Sequence, residues 1–175
     1  MRGDFAEIYR EEIWGVYGFI AYRVRSRGDA EDLTQQTFER ALRAWTKFDP
    51  RRAPARVWLL TIARNLLVDH YRADPSSRHR PLDEVEEGEL GSEVAAPDLG
   101  IDPELATALA TLSQRDREIV ALRFGGDLTG PEIAELTGLT LANVQQILSR
   151  SLRRLRERLE AEEFAQAPSS DPAHP

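Results

Sequence analysis

The chain has 175 residues, room for one medium domain or two small ones, and its 41% hydrophobic and 30% charged composition is that of a globular protein. It carries 23 basic and 30 acidic side chains, a formal net charge of −7 that, taken whole, speaks against nucleic acid because like charges repel at long range. With no cysteine, it has no disulfide, thiolate zinc site or thiol nucleophile.

The first helical signal is Phe5, Ile8, Tyr9, Ile13, Val16, Tyr17, Ile20 and Val24, apolar at three- and four-residue steps. A second helix follows, with Asp29 as its expected cap and an apolar face of Leu33, Thr37, Phe38, Ala41, Leu42 and Trp45. Asp49-Pro50 and Pro54 then predict a loop over residues 46–55. The third helix, about residues 56–72, carries Trp58, Leu59, Ile62, Ala63, Leu66 and Leu67.

Residues 74–102 have no helical or alternating period and read as a flexible acidic linker, with too little apolar surface to offset ordering entropy. Beyond it, Pro103 opens a helix ending near Leu112, and Ser113 caps residues 114–124, with Asp116 as a weak capping-box partner. Gly125-Gly126-Asp127 ends that helix. A short helix over 131–137, a turn at Gly138 and a long helix over 141–162 complete the pattern, and residues 163–175 read as a disordered tail. No β pattern occurs. The expected fold class is all-α, with two small helical domains (1–73 and 103–162) joined by the flexible linker.

Charge is unevenly spread. Residues 50–80 carry seven arginines against Asp69 and Asp74, and residues 81–104 carry nine acids and no base. Residues 141–159 carry five arginines against Glu157. The acid lies mainly in the connector, between two basic blocks.

The short helix, glycine turn and longer basic helix have helix-turn-helix spacing. The polar face of the last helix shows Asn143, Gln146, Ser149, Arg150, Arg153 and Arg154, and amides and arginines of this kind read base edges and phosphates in a major groove. An ordinary amphipathic helix with a solvated face has the same pattern, and only the helix-turn-helix context favours DNA. Around residues 51–80, arginines alternate with Trp45, Phe48, Trp58 and Tyr71, the chemistry that holds single strands. Trp58 and Trp45 follow the core phase of their helices, so packing is the simpler reading for those two.

The remaining chemistry is sparse. His70, His79 and His174 are not at ligand spacing, and the acids Asp83, Glu84, Glu86, Glu87 and Glu89 lack the fixed geometry a metal requires, so neither metal nor cofactor is expected. There is no nucleophile–base arrangement and no phosphate-cradling glycine loop, so no enzyme is expected. No run of about 18 apolar residues or signal-peptide core is present, and a cytoplasmic protein without membrane insertion is the default.

The run Asp29-Ala30-Glu31-Asp32-Leu33-Thr34-Gln35-Gln36-Thr37-Phe38 resembles the core-polymerase-binding segment of extracytoplasmic-function (ECF) sigma factors, the group IV members of the sigma-70 superfamily. Residues 58–72 are similar to the segment that engages the −10 element, and residues 112–159 to region 4, which reads the −35 element. The resemblance implies that Asp32, Gln35 and Phe38 dock on the clamp helices of core RNA polymerase. It places Phe48, Arg51, Arg52, Arg56, Arg64, Asn65, Asp69 and Arg72 beside the melted non-template strand. It places Asn143, Gln146, Ser149, Arg150, Arg153 and Arg154 at the −35 duplex. Promoter DNA and an anti-sigma factor are the further partners it implies. Ala55, Gly130-Pro131, Gln145 and Ile147 depart from the family's usual residues. Two other readings share part of this pattern: a helix-turn-helix regulator acting without polymerase, and a sigma mimic that titrates an anti-sigma protein.

Overall fold

A computed structural model of the chain describes residues 4–73 and 100–166. The expected linker, apart from residues 100–102, lies outside the described residues, as do the carboxylates of residues 83–89 and the last nine residues of the expected tail.

Among the described residues, seven α-helices account for the architecture: α1 (Phe5–Ala21), α2 (Arg27–Ala44), α3 (Ala55–Ala73), α4 (Pro103–Ala110), α5 (Gln114–Val120), α6 (Gly130–Thr137) and α7 (Leu141–Gln166). A 3₁₀ turn over Trp45–Lys47 follows α2, and a π-helical turn over Ala121–Gly125 follows α5. Among the described residues there is no strand.

The helix ends are set by side chains that accept from otherwise unpaired backbone N–H groups. Asp4 accepts from Ala6 N, and Asp102 from Glu104 N and Leu105 N. The cap of α2 is Ser26, which accepts from Asp29 N at 3.0 Å, so the helix starts one turn earlier than a cap at Asp29 requires. Thr129 and Glu132 form a reciprocal capping box at α6. No such reciprocity forms at α5, where Ser113 accepts from Asp116 N while the Asp116 carboxylate turns inward. Gly138 ends α6 at φ 73°, a left-handed conformation that costs glycine nothing. Helix α7 continues to Gln166, four residues past its expected end, so the expected tail begins as helix.

Helices α1, α2 and α3 pack as a bundle around Phe19, Ile20, Leu59, Leu60 and Ala63, all fully buried. Leu60 is buried although it lies off the stripe read from the sequence. Conversely, Leu42, on the expected apolar face of α2, is exposed. Helices α4, α5 and α7 enclose a smaller cluster of Ala108, Leu109, Leu112, Val120 and Leu155.

The two helical groups are not separate bodies. The core of the first continues without a break into Ile119, Ala121, Leu122, Leu128, Ile133 and Val144 of the second. The seam is the π-helical turn packed along α1. There Gly126 N donates to Ala121 O at 2.8 Å and Leu128 N to Leu122 O at 3.0 Å. These five- and six-residue steps widen the backbone and present Gly125 to α1.

Candidate nucleic-acid interface

Three groups of residues carry the sequence expectations, and the fold treats each differently. On α2, Asp32 and Gln35 are exposed, whereas Phe38 is 5% exposed and packs edge-on against Tyr9 with ring centroids 4.7 Å apart. Beside them runs an open groove of about 670 Å³ between α1 and α2. Phe5, Tyr9, Trp14, Gln35, Phe38 and Leu42 are among its walls, so two of the three docking candidates line one apolar trough. Trp14 stands 75% exposed at its edge and was not singled out by periodicity, since it falls off the buried stripe.

The second group lies on α3 and the loop before it. Asp49 anchors the loop by accepting from the Arg51 backbone N at 3.0 Å and from Arg51 Nε at 3.1 Å. Arg51 Nη2 also donates to Asp49 Oδ2, at 3.4 Å, yet the side chain remains largely exposed, as does Arg52. Phe48 is buried, stacked on Trp45 at 5.2 Å and tilted against Trp58 at 4.7 Å. In this arrangement its ring supports the loop from beneath rather than presenting a face to a base. Asn65, Asp69 and Arg72 are exposed, with Asp69 3.8 Å from Arg40 of α2.

Arg56 and Arg64 of the same group are engaged. Arg56 Nε donates to Glu12 Oε2 at 2.7 Å and Nη1 to Asp127 Oδ2 at 2.9 Å, and both carboxylates raise its pKa. Asp127 reaches it from a left-handed backbone, φ 53°, which aspartate tolerates better than most residues. Arg64 Nε donates to Glu118 Oε1 at 2.6 Å and Nη1 to Leu136 O at 3.4 Å. Glu118 and Leu136 belong to α5 and α6, so the second helical group holds an arginine of the first. Sequence reasoning missed Glu12 and Glu118, which lie within helices, and Asp127, at a turn, because a paired acid has the same sequence signature as a solvated one.

Around Glu118 the seam is rich in arginine. Arg23 is 8% exposed, its Nη1 lies 3.9 Å from Glu118 Oε1, and Tyr71 Oη donates to its backbone carbonyl. Burial pulls the Arg117 guanidinium down to about 10, with Arg23 and Arg25 adding repulsion. Arg23 Nη1 and Arg117 Nε are buried without a hydrogen-bond acceptor.

The third group lies on α7. Asn143, Gln146, Ser149, Arg150 and Arg153 are exposed along one face, while Val144, Ile147, Ser151 and Leu155 turn inward. Arg154 is half-buried. Arg150 Nη2 donates to both oxygens of Asp116, at 2.9 and 3.0 Å. Asp116 is buried, so this pair ties the recognition helix to α5 and fixes the direction in which Arg150 points. Helices α6 and α7, joined through Gly138, therefore make a structured helix-turn-helix with its outer face open. No described helix is long and apolar enough to cross a membrane.

Known proteins resolve the family. Residues 8–75 match the model for Sigma-70 region 2, and residues 108–157 the model for Sigma-70, region 4. The chain is 35% identical over 162 residues to the ECF RNA polymerase sigma factor BldN of Streptomyces coelicolor, covering 86% of this chain and 58% of BldN. It is 29% identical over 163 residues to the ECF sigma factor RpoE of Cereibacter sphaeroides, covering 89% of this chain and 86% of that protein. Its fold matches that of the sigma factor RpoE crystallised with the anti-sigma factor NepR from Bartonella quintana, with a TM-score of 0.68, 23% identity, and 90% and 97% of the two chains covered. With both family segments present in order on one all-α chain, the protein belongs to the sigma-70 family, in its extracytoplasmic-function group.

Proposed function

We propose that the protein binds core RNA polymerase, directs it to promoters and helps open the duplex, itself catalysing no reaction and acting in the cytoplasm where polymerase works. The observation that carries this reading is the coexistence on one chain of an apolar α1–α2 groove flanked by Asp32 and Gln35 and an open-faced helix-turn-helix. A regulator acting without polymerase has no use for the groove.

The roles divide by surface. Asp32 and Gln35 supply polar contacts to the clamp helices of polymerase, and Phe38 shapes the trough. Arg51, Arg52, Arg56, Arg64, Asn65 and Arg72 face the melted strand, with Asp69 beside them and the Phe48–Trp45–Trp58 stack holding the loop that captures a base. Unstacking that base costs a few kcal/mol, which binding to the loop must offset. Asn143, Gln146 and Ser149 suit base edges in the −35 major groove, and Arg150, Arg153 and Arg154 suit phosphates or guanine. The boundaries that fit this division are 1–73 and 103–162. An anti-sigma factor is a natural partner, since relatives of this fold are known in complex with one.

Run-off transcription on genomic fragments with purified core polymerase tests the proposal. Promoter-dependent transcripts that require the full chain are expected, and their absence from every fragment would overturn it.

A further inference from the structure

Asp116 occupies the first turn of α5, three residues after the cap Ser113, where an acid ordinarily turns back to the backbone N–H of the cap. Here only half of that exchange forms. Asp116 N donates to Ser113 Oγ at 3.1 Å, and the carboxylate crosses to α7 instead. Both of its oxygens accept from one nitrogen, Arg150 Nη2, at 2.9 and 3.0 Å. The Asp116 side chain is 9% exposed and that of Arg150 48%, so the carboxylate is sunk while the guanidinium still reaches solvent.

Which nitrogen is engaged decides what the others can grip. A guanidinium meets two acceptors at once along one of two edges, Nε with Nη2 or Nη1 with Nη2. Nη2 belongs to both. A guanine offering O6 and N7 to either edge would set an acceptor beside the Asp116 oxygens, where like partial charges repel. Nε and Nη1 share no edge, so each meets a single acceptor, which suits a phosphate oxygen. Nor does Arg150 swing away cheaply, because its departure would strand the buried Asp116 carboxylate without its partner.

We propose that Asp116 is a positioning residue that sets promoter specificity: by holding Arg150 Nη2, it confines Arg150 to a phosphate of the −35 duplex and keeps it from specifying a guanine. The proposal rests on the reading that α7 lies in the major groove. It narrows the partner of Arg150 to the DNA backbone and leaves base edges to residues such as Asn143 and Gln146. Base preference in this helix-turn-helix then depends on a residue of α5 that lies buried behind the recognition helix.

Selection of duplexes with a randomised central segment on the full-length chain, followed by sequencing, tests this. Arg150→Lys is the first variant, because an ammonium keeps one donor for Asp116 and another for a phosphate but cannot fork onto a guanine. It is expected to select the wild-type sequences unchanged, and Arg150→Ala to weaken binding by a similar factor for all of them. Asp116→Ala releases Nη2. It is expected to gain a guanine preference of about fivefold or more at one position, which Asp116→Ala combined with Arg150→Lys loses again. A guanine preference present in the wild type and lost in Arg150→Lys overturns the proposal. So does an Asp116→Ala chain that keeps its helical content and selects the wild-type sequences. Should Asp116→Ala fail to fold, the Arg150→Lys comparison decides alone. Enrichment of no sequence by the wild type overturns the reading of α7 as the duplex reader, and the proposal with it; enrichment with the wrong dependence on Arg150 overturns the proposal only.

Discussion

Arg64 on α3 and Arg153 on α7 carry the same guanidinium and are assigned the same kind of partner, yet the fold treats them oppositely. Arg64 is half-buried, bonded to Glu118 and to the Leu136 carbonyl, whereas Arg153 projects from the open face of α7. The difference follows from position. Helix α3 lies against the seam between the helical groups, and the outer face of α7 points away from it. The two DNA-directed surfaces of one protein are thus unequally available, and the duplex-reading surface is the free one.

Breaking the seam at its core has the largest expected effect. Phe19 is fully buried in the cluster shared by both halves, so Phe19→Ala should cost about 3–5 kcal/mol. In denaturant it should lower the midpoints of both halves together. If only the first half shifts, the halves do not share a cooperative unit. Next in size is Asp116→Ala, which removes the carboxylate that takes two hydrogen bonds from Arg150. A loss of about 1–2 kcal/mol in thermal unfolding is expected, because hydrogen bonds to charged groups exceed neutral ones but Arg150 is itself half-exposed. The first half should be unaffected, since both partners lie in the second half.

Smaller effects sharpen the picture of the helix-turn-helix. Thr129→Ala should cost about 1 kcal/mol by removing the α6 cap. The hydrogen bond from the Thr129 hydroxyl holds the Glu132 carboxyl below its ordinary 4.5. A carboxylate whose folded pKa is depressed stabilises the fold above its unfolded pKa and loses that contribution as pH falls through the folded one. The difference in melting temperature between the wild type and Glu132→Gln should therefore be present at pH 7 and shrink below about pH 4.5. Smallest is Arg51→Ala. With its side chain 90% exposed, a change within about 0.5 kcal/mol is expected, so any loss of strand binding in that variant reports contact rather than folding.

Much of the fold was legible in the sequence, because helical period depends on local spacing alone. Val16, Ile20 and Val24, or Leu59, Ala63 and Leu66, fall inward whatever they pack against. What they pack against was not legible. Leu122 and Ile133 have the same apolar phase whether they face their own helices or α1. Gly125-Gly126 reads as a helix stop, and the turn does end there, but its closeness to Gly18 exists only in three dimensions. Leu42 was misplaced because its side chain lines the open α1–α2 groove, where no neighbour covers it. Within the candidate site, exposed residues such as Asn143 and Arg153 stand where the sequence put them. Phe38 is buried, as its place on the apolar face of α2 predicts, and Phe48 turns inward because its ring buries more apolar area against Trp45 and Trp58 than a solvent-facing position offers.

The contrast between the two surfaces is most directly tested by the reactivity of the arginines themselves. The free full-length chain would be treated briefly with phenylglyoxal and digested at glutamates, and modification at each arginine followed by mass spectrometry. Arg56 and Arg64 should react several-fold more slowly than Arg51 and Arg153, because their guanidinium groups are held by Glu12, Asp127 and Glu118. Equal rates at all four positions would contradict a closed seam.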